Sequence, residues 1–281
     1  MQSEALKNIV RATVPRELRN WLRSPSRSLK WLWDSTRFSL GKTQTLELVP
    51  GLTIVCHPAA YTIFRNAQID DPEQSEEFKN FLSYCSDKMV LFDVGAHWGV
   101  FTLAAALKGA AVVAMDPSPT AAHMIEIQSA INKCKDKIRV LKSAASDVSG
   151  SINMLSSGVF TAGYFRVASG RMTKELTTIR SVTIDEISER FGPPTHIKID
   201  VEGHEIAALR GARITLKNNC PLLFLELHNE MIAADGGNPE ETLDLLRNHG
   251  YKTIALGGNK ISRDEILEKP IIRVIARREP D

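Results

Sequence analysis

Apolar and polar positions fall into two regimes along this chain. From about residue 88 onward, short continuous apolar runs recur near 88–94, 111–116, 137–143, 195–200 and 221–227, with helical spacing between most of them. A continuous apolar run suits a parallel strand covered on both faces, and its alternation with helices predicts a doubly wound α/β sheet. The ending differs: residues 251–256 and 271–276 read as two strands joined by a polar segment too short for a full crossover helix, which predicts a terminal antiparallel pair. Before residue 88 the periods mix. Residues 44–56 read as two strands meeting at Pro50-Gly51, and residues 70–84 as a helix opened by Asp71-Pro72, with Phe78, Phe81 and Leu82 at helical spacing and an acidic start that suits the helix dipole. The expected division is therefore 1–69, a basic helical segment with a small hairpin, and 70–281, the main domain. No internal repeat or low-complexity run is visible.

The first core strand carries the first chemistry. In V-L-F-D-V-G-A-H-W-G-V-F-T, Val90 to Thr102, the apolar run breaks at Asp93, at the strand's carboxyl end, where open α/β sheets bind ligands. Gly95 and Gly99 permit a tight turn and a close backbone approach before a helix over 100–108. Three non-glycines separate them, so the G-x-G-x-x-G pyrophosphate fingerprint is absent, which counts against a nicotinamide dinucleotide. The pattern D-x-G-x-x-x-G resembles motif I of class I S-adenosylmethionine-dependent methyltransferases, whose cofactor carries an ammonium, a carboxylate and a sulfonium but no phosphate. An acid beside that cation makes electrostatic sense; an ordinary tight βα turn is the plain alternative.

Asp116, in V-V-A-M-D-P, ends the second strand 23 residues after Asp93. A carboxylate here suits a ribose diol, because two acceptor oxygens match two vicinal hydroxyls. NAD enzymes and methyltransferases share this device, and Asp-Pro is also simply a good loop opener. After the third strand, Ser146 and Asp147 stand where an acid can accept from an adenine amine, or where a Ser-Asp pair merely forms a turn. In H-I-K-I-D-V-E-G-H-E, residues 196–205, a strand ends in Asp200 and Glu202, Gly203 and Glu205 crowd around His204. So many acids at a strand end are costly unless they bind a cation, a proton or hydroxyls; Glu205 is explained by the helix dipole. The next strand ends in L-L-F-L-E-L-H-N-E, which sets Glu226 and His228 on one side of the strand at the same sheet edge.

Composition narrows little. In 281 residues, 43% hydrophobic content supports a substantial core and one main domain, and a net charge of +2 is too small to imply a general nucleic-acid binder. Cys56, Cys85, Cys134 and Cys220 are scattered without C-x-x-C, which suggests neither zinc nor a disulfide framework and fits a cytoplasmic setting. No apolar stretch reaches the roughly 18–20 residues a membrane span needs. Charge does change the picture at the amino end. Residues 1–40 hold eight Lys or Arg against Glu4, Glu17 and Asp34, with Trp21, Trp31 and Trp33 among them. Pro15 suits a first helical turn, and Leu18, Trp21 and Leu22 share a helix face. This reads either as an interfacial helix on an anionic membrane or as an accessory helix packed on the domain with solvated cations. Residues 151–180, with Gly158, Gly163 and Gly170 interleaved with Phe160, Tyr164 and Phe165, read equally as a mobile lid or a surface hairpin.

Together D-V-G-A-H-W-G, A-M-D-P, A-A-S-D-V-S-G, V-T-I-D-E-I and I-K-I-D-V-E-G-H-E with L-R-G-A resemble the ordered motifs of the FkbM-type methyltransferase family over roughly residues 70–276, the K-I-D-V-E-G-x-E element being the most specific. The resemblance implies a Rossmann-like class I fold with seven strands, the last antiparallel. It also implies S-adenosylmethionine as cofactor and O-methylation of a sugar, glycolipid or polyketide hydroxyl. Asp93, Gly95, Ala96, His97, Gly99, Asp116, Pro117, Ser146 and Asp147 are the cofactor candidates. Asp116 stands for the more usual Glu, and His97 for the more usual Asn. A neutral alcohol must lose its proton, so Asp200, Glu202, Glu226 and His228 are the catalytic candidates. Alternatively the carboxylates hold Mg²⁺ or Ca²⁺; the metal-free route is favoured because no dedicated ligand spacing is visible. Asp200 equally suits the methionine ammonium. The competing functions are a nicotinamide-dependent oxidoreductase and a non-catalytic cofactor-binding or membrane-adaptor protein.

Overall fold

Three helices begin with a capping side chain followed by proline. The structure, a computed structural model, describes residues 25–156, 165–167 and 176–278. The helical pattern at Pro15, Leu18, Trp21 and Leu22 lies outside them, as do Gly158, Phe160, Gly163, Tyr164 and Gly170 of the proposed lid. The chain enters through α1 (Pro25–Ser39) and a hairpin of β1 (Gln44–Val49) and β2 (Leu52–Cys56). At α2 (Pro58–Arg65), His57 accepts the Ala59 N–H; a π-helical turn over Asn66–Asp70 follows. At α3 (Pro72–Tyr84), Asp71 accepts the Gln74 N–H. β3 (Val90–Val94), α4 (Val100–Leu107) and β4 (Ala111–Met115) lead to α5 (Pro119–Ile131), where Ser118 accepts the Ala121 N–H. In each case the cap satisfies an orphan donor and the proline fits the first turn.

The remaining elements are β5 (Ile138–Leu141), β6 (Ala144–Ala145), β7 (Gly150–Ser156), β8 (Phe165–Val167), β9 (Leu176–Val182), α6 (Ile184–Phe191), β10 (His196–Ile199), α7 (Glu205–Arg210) and α8 (Arg213–Asn218). Then come β11 (Leu222–Leu227), α9 (Asn229–Ala234), α10 (Glu240–Asn248), β12 (Tyr251–Ala255), α11 (Arg263–Leu267) and β13 (Ile272–Arg278). Seven strands form the main sheet in the order β12-β13-β11-β10-β3-β4-β5. All run parallel except β13, which pairs antiparallel with both β11 and β12. The expected α/β class, antiparallel ending and hairpin are all present. The segment that read as either a lid or a hairpin supplies β7 and β8 of a second sheet, β6-β9-β7-β8.

Two apolar clusters cover the two faces of the main sheet, as doubly wound packing requires. One contains Leu46, Ile54 and Phe64 together with Phe81, Leu91 and Phe224, so apolar packing runs continuously across residue 70. Asn132, which caps the carboxyl end of α5, fastens the hairpin to the domain by accepting the Val55 N–H and donating to the Val55 carbonyl, both at 2.8 Å. Helix α1 docks through Trp31, which stacks on His57 at 5.8 Å and meets Trp98 edge-on at 5.7 Å. Leu29, Leu32 and Trp33 stay exposed on the opposite side. Strand order reverses between β3 and β10, so their carboxyl ends open the crevice in which such sheets bind ligands.

Candidate active site

The loops leaving β3, β4 and β10 are locked together before any ligand is considered. Gly95 and Ala96 donate their N–H groups to the Met115 carbonyl at 2.8 and 3.0 Å. Asp116 returns the contact, accepting the His97 N–H and the Ser118 N–H, each at 2.8 Å. Gly95 sits at φ +85°, and a Cβ there would lie 1.8 Å from the Asp200 carbonyl oxygen. At Gly99, φ +86°, a Cβ would lie 2.8 Å from Ile125. These glycines therefore make room for the protein's own neighbours rather than for a ligand, a reason the sequence pattern does not carry.

Above the loops lies a cavity of about 500 Å³. Asp93, Gly95, Ala96, His97, Gly99, Asp116 and Pro117 line one side, and Asp200, Glu202, Glu226, Lys198 and Arg273 another. Ser146 and Asp147 do not line it. Ser143, Ala144 and Ala145 do, while the buried Ser146 hydroxyl faces Asp147 and His204 Nε2 at 3.2 and 3.3 Å. His228 also lies behind the lining, buried, with Nε2 3.7 Å from Glu202 and 3.8 Å from Glu226.

Charge in this space is organised around two cations. Lys198 Nζ is 3.1 Å from Asp200 and 3.9 Å from Glu77, and stands 4.5 Å over the Phe101 ring. Burial works against its charge, but Asp200, Glu77, Glu226 and Asp93 together raise its pKa above the usual value. Burial pushes Asp200 up, yet Lys198 and His228 outweigh it, so its carboxyl titrates below the ordinary range. Arg273 reaches Glu226 at 2.6 Å and Glu77 at 3.1 Å, and Arg273 and Glu226 face each other in register on β13 and β11. Glu226 is nevertheless raised to about 8 by burial and the Asp200 charge. Burial likewise raises Asp116 to about 7, although two backbone N–H groups oppose it. Asp93 is raised too, despite a 2.5 Å hydrogen bond from Thr102 and the charge of Lys198. Burial lowers His97 to about 4, which leaves it neutral.

His228 Nδ1 lies 2.8 Å from Glu205, a fully buried carboxylate that also accepts the Gly203 N–H at 3.1 Å. Burial alone would lower the imidazole; Glu205, Asp200 and Glu202 instead raise it to about 9. These charges favour the imidazolium at neutral pH. The helix dipole alone does not explain Glu205, whose first partner is this ring. Asp200, Glu226 and His228 offer ligand atoms within 4.8 Å of one another, a grouping able to hold a metal ion, but Lys198, Arg273 and the His228 proton already supply positive charge there. Sequence reasoning did not single out Lys198, Arg273 or Glu77. The first two interrupt apolar strand patterns, I-K-I and I-I-R-V-I, which is a usable signal. Glu77 gives none.

Residues 93–253 match the family described as the methyltransferase FkbM domain. A hexuronic acid methyltransferase, AglP, of Haloferax volcanii is 26% identical over 210 residues, spanning 74% of this chain and 78% of that protein. Among solved structures, the methyltransferase FkbM of Methylobacillus flagellatus aligns with TM-score 0.46 and 18% identity over 78% of this chain; the match spans about half, 54%, of the other's length. The precorrin-6y C5,15-methyltransferase of Geobacter metallireducens aligns with TM-score 0.44 and 11% identity, covering 76% of this chain and 91% of that one.

Two outcomes follow from the geometry. Gly95→Ala forces the β3 and β10 loops apart and costs about 2–4 kcal/mol in denaturant unfolding, since both positive φ and backbone overlap oppose it; a variant as stable as the parent would contradict this packing. Glu205→Gln removes the main cause of the raised His228 pKa, so imidazole NMR titration should show it falling by about one unit or more.

Proposed function

Because the chain belongs to the FkbM methyltransferase family, it is a methyltransferase, and we propose that it transfers the methyl group of S-adenosylmethionine to a hydroxyl of a sugar, glycolipid or polyketide-like acceptor. The single observation that carries this reading is the acid-lined cavity at the reversal of strand order, with the D-x-G-x-x-x-G turn hydrogen-bonded to Asp116. The residues fit the cofactor: about 500 Å³ is ample for a small molecule, and Asp93, Asp116 and Asp200 suit a ligand with two cationic centres and a ribose diol. When bound, S-adenosylmethionine supplies a methyl carbon activated by a sulfonium.

The chain's own residues then divide the work. Asp116 spends one lone pair of each oxygen on a backbone N–H, keeping the others for ribose hydroxyls. Asp200, held ionised by Lys198, suits the methionine ammonium. Glu226 and His228, 3.8 Å apart and raised to about 8 and about 9, each have a basicity that matches removal of an alcohol proton near neutral pH. Lys198 and Arg273 already neutralise the acids that would ligate a metal, which supports the metal-free route. The hexuronic acid methyltransferase relative supports a sugar among the acceptor classes.

Millimolar S-adenosylmethionine or S-adenosylhomocysteine should raise the melting temperature through ligand linkage; no shift with either removes the cofactor assignment. A tritiated-methyl screen of glycan and lipid-linked sugar fractions identifies the acceptor. With it, the rate should rise from pH 7 towards about 9 as Glu226 and then His228 lose their protons. Glu226→Gln should flatten that rise and lower kcat about 10²-fold or more, and EDTA should leave the rate unchanged. A rate lost to EDTA and restored by Mg²⁺ would replace the metal-free route with a metal-assisted one.

We also propose that α1 makes peripheral contact with anionic lipid, through the exposed Leu29, Leu32 and Trp33 beside Arg37. No helix among the described residues is long and apolar enough to cross a membrane. The full chain should float with phosphatidylserine vesicles and a Leu32→Glu/Trp33→Glu variant should not; equal behaviour of the two would dispose of the contact.

A further inference from the structure

The roof of the cavity comes from a part of the chain that the family match, residues 93–253, does not reach. Asn66, Gln68, Asp71, Gln74 and Glu77 line it from the π-helical turn and the start of α3. Gln68 is 3% exposed, and its side-chain Oε1 is buried without a hydrogen-bond partner. A carbonyl left so costs about 1–3 kcal/mol and calls for a reason; π-helical turns are frequent at functional sites. Gln74 is held in place by Asp71, which accepts its backbone N–H at 3.0 Å and lies 3.4 Å from its side-chain nitrogen.

The position of this patch over the cavity points to the acceptor rather than the cofactor. One turn beyond Gln74, Glu77 meets Lys198 and Arg273, the two cations that bind Asp200 and Glu226. The roof is thereby tied to the β10 and β11 ends, whereas Asp116 stands at the end of β4. Carboxamides both donate and accept, as hydroxyls do, and being uncharged they add no further repulsion to a space already rich in acids. Phe64 and Phe101 line the same cavity and offer apolar surface to the C–H face of a sugar ring.

We propose that the π-helical turn and the first turn of α3 form a binding subsite for a pyranose ring of the acceptor, in which Gln68 Oε1 accepts a hydrogen bond from a ring hydroxyl and the Asn66 and Gln74 amides take its neighbours. The subsite rests on the methyltransferase reading given above, with a sugar as acceptor. It assigns recognition of the acceptor to the chain that precedes the family domain.

The test uses the full chain saturated with S-adenosylhomocysteine, with methyl β-D-glucopyranoside and methyl β-D-glucuronide as probes in saturation-transfer NMR. At least one glycoside should receive saturation on its ring protons. Gln68→Ala and Gln74→Ala should each weaken its binding about 5-fold, the effect of one lost hydrogen bond, while the thermal shift caused by S-adenosylhomocysteine stays as in the parent. Each shift is read against the same variant's own ligand-free melting temperature, so that packing lost with the buried Gln68 side chain is not counted as lost binding. Saturation on neither glycoside, with S-adenosylhomocysteine bound, overturns the subsite and leaves the cofactor assignment standing. Unchanged glycoside binding in both variants overturns it as well, and loss of the S-adenosylhomocysteine shift in Gln68→Ala moves Gln68 to the cofactor. A parent protein that shows no S-adenosylhomocysteine shift overturns the cofactor assignment and the subsite together.

Discussion

The acceptor end of the cavity depends on the buried ammonium of Lys198. Glu77, Asp93, Asp200 and Glu226 converge on it from α3, β3, the loop after β10 and β11. Isolated carboxylates do not stay ionised when buried, because desolvation outweighs any benefit of charge. A cation in their midst allows at least one of them, Asp200, to remain charged. Phe101 beneath the ammonium and Arg273 on the far side complete the arrangement. The network is less a source of stability than a way of fixing which acids carry a proton.

That distribution of protons lets one acidic cavity hold groups with different tasks. Asp200 lies below its ordinary pKa, Asp116 near 7, Glu226 near 8 and His228 near 9. Environments that push neighbouring groups apart are how a single site comes to contain both fixed charges and movable protons. The fixed charge sits beside Lys198, and the two most basic of these groups sit on the β11 side, where Glu205 reaches His228. Between the two, the contact of Gly95 with the Asp200 backbone sets how far apart the β3 and β10 loops stand.

Much of the frame was legible because strands and turns are written locally. Apolar runs located every strand of the parallel sheet, and the missing crossover helix revealed the antiparallel β13. Asp93, Gly95 and Asp116 could be assigned to one wall because each ends a strand on the same edge. What the sequence hid depends on contacts between distant residues. Glu205 read as a helix-start acid, since nothing local shows that His228, 23 residues on, closes over it. Glu77 is one of three acids in α3, and only packing selects it to face Lys198. Ser146 and Asp147 follow a third strand as expected, yet β6 turns the chain into the second sheet and leaves Ala144 and Ala145 at the cavity instead. The glycines of the opening turn were noticed for the right positions, but their neighbours proved to be Asp200 and Ile125.

The placement of β13 orders events during synthesis. It lies between β11 and β12 in the sheet, although both precede it in the chain, and it carries the Arg273 that accompanies Glu226 and Glu77. Because β13 is made after both of its neighbours, β11 and β12 cannot acquire their shared pairing partner until its residues are available. Until then the β11 edge that β13 covers has no native partner and Glu226 lacks Arg273, and an unpaired strand edge is open to pairing with the wrong strand. The last strand to arrive thus closes the sheet and completes the charge balance of the cavity in one step.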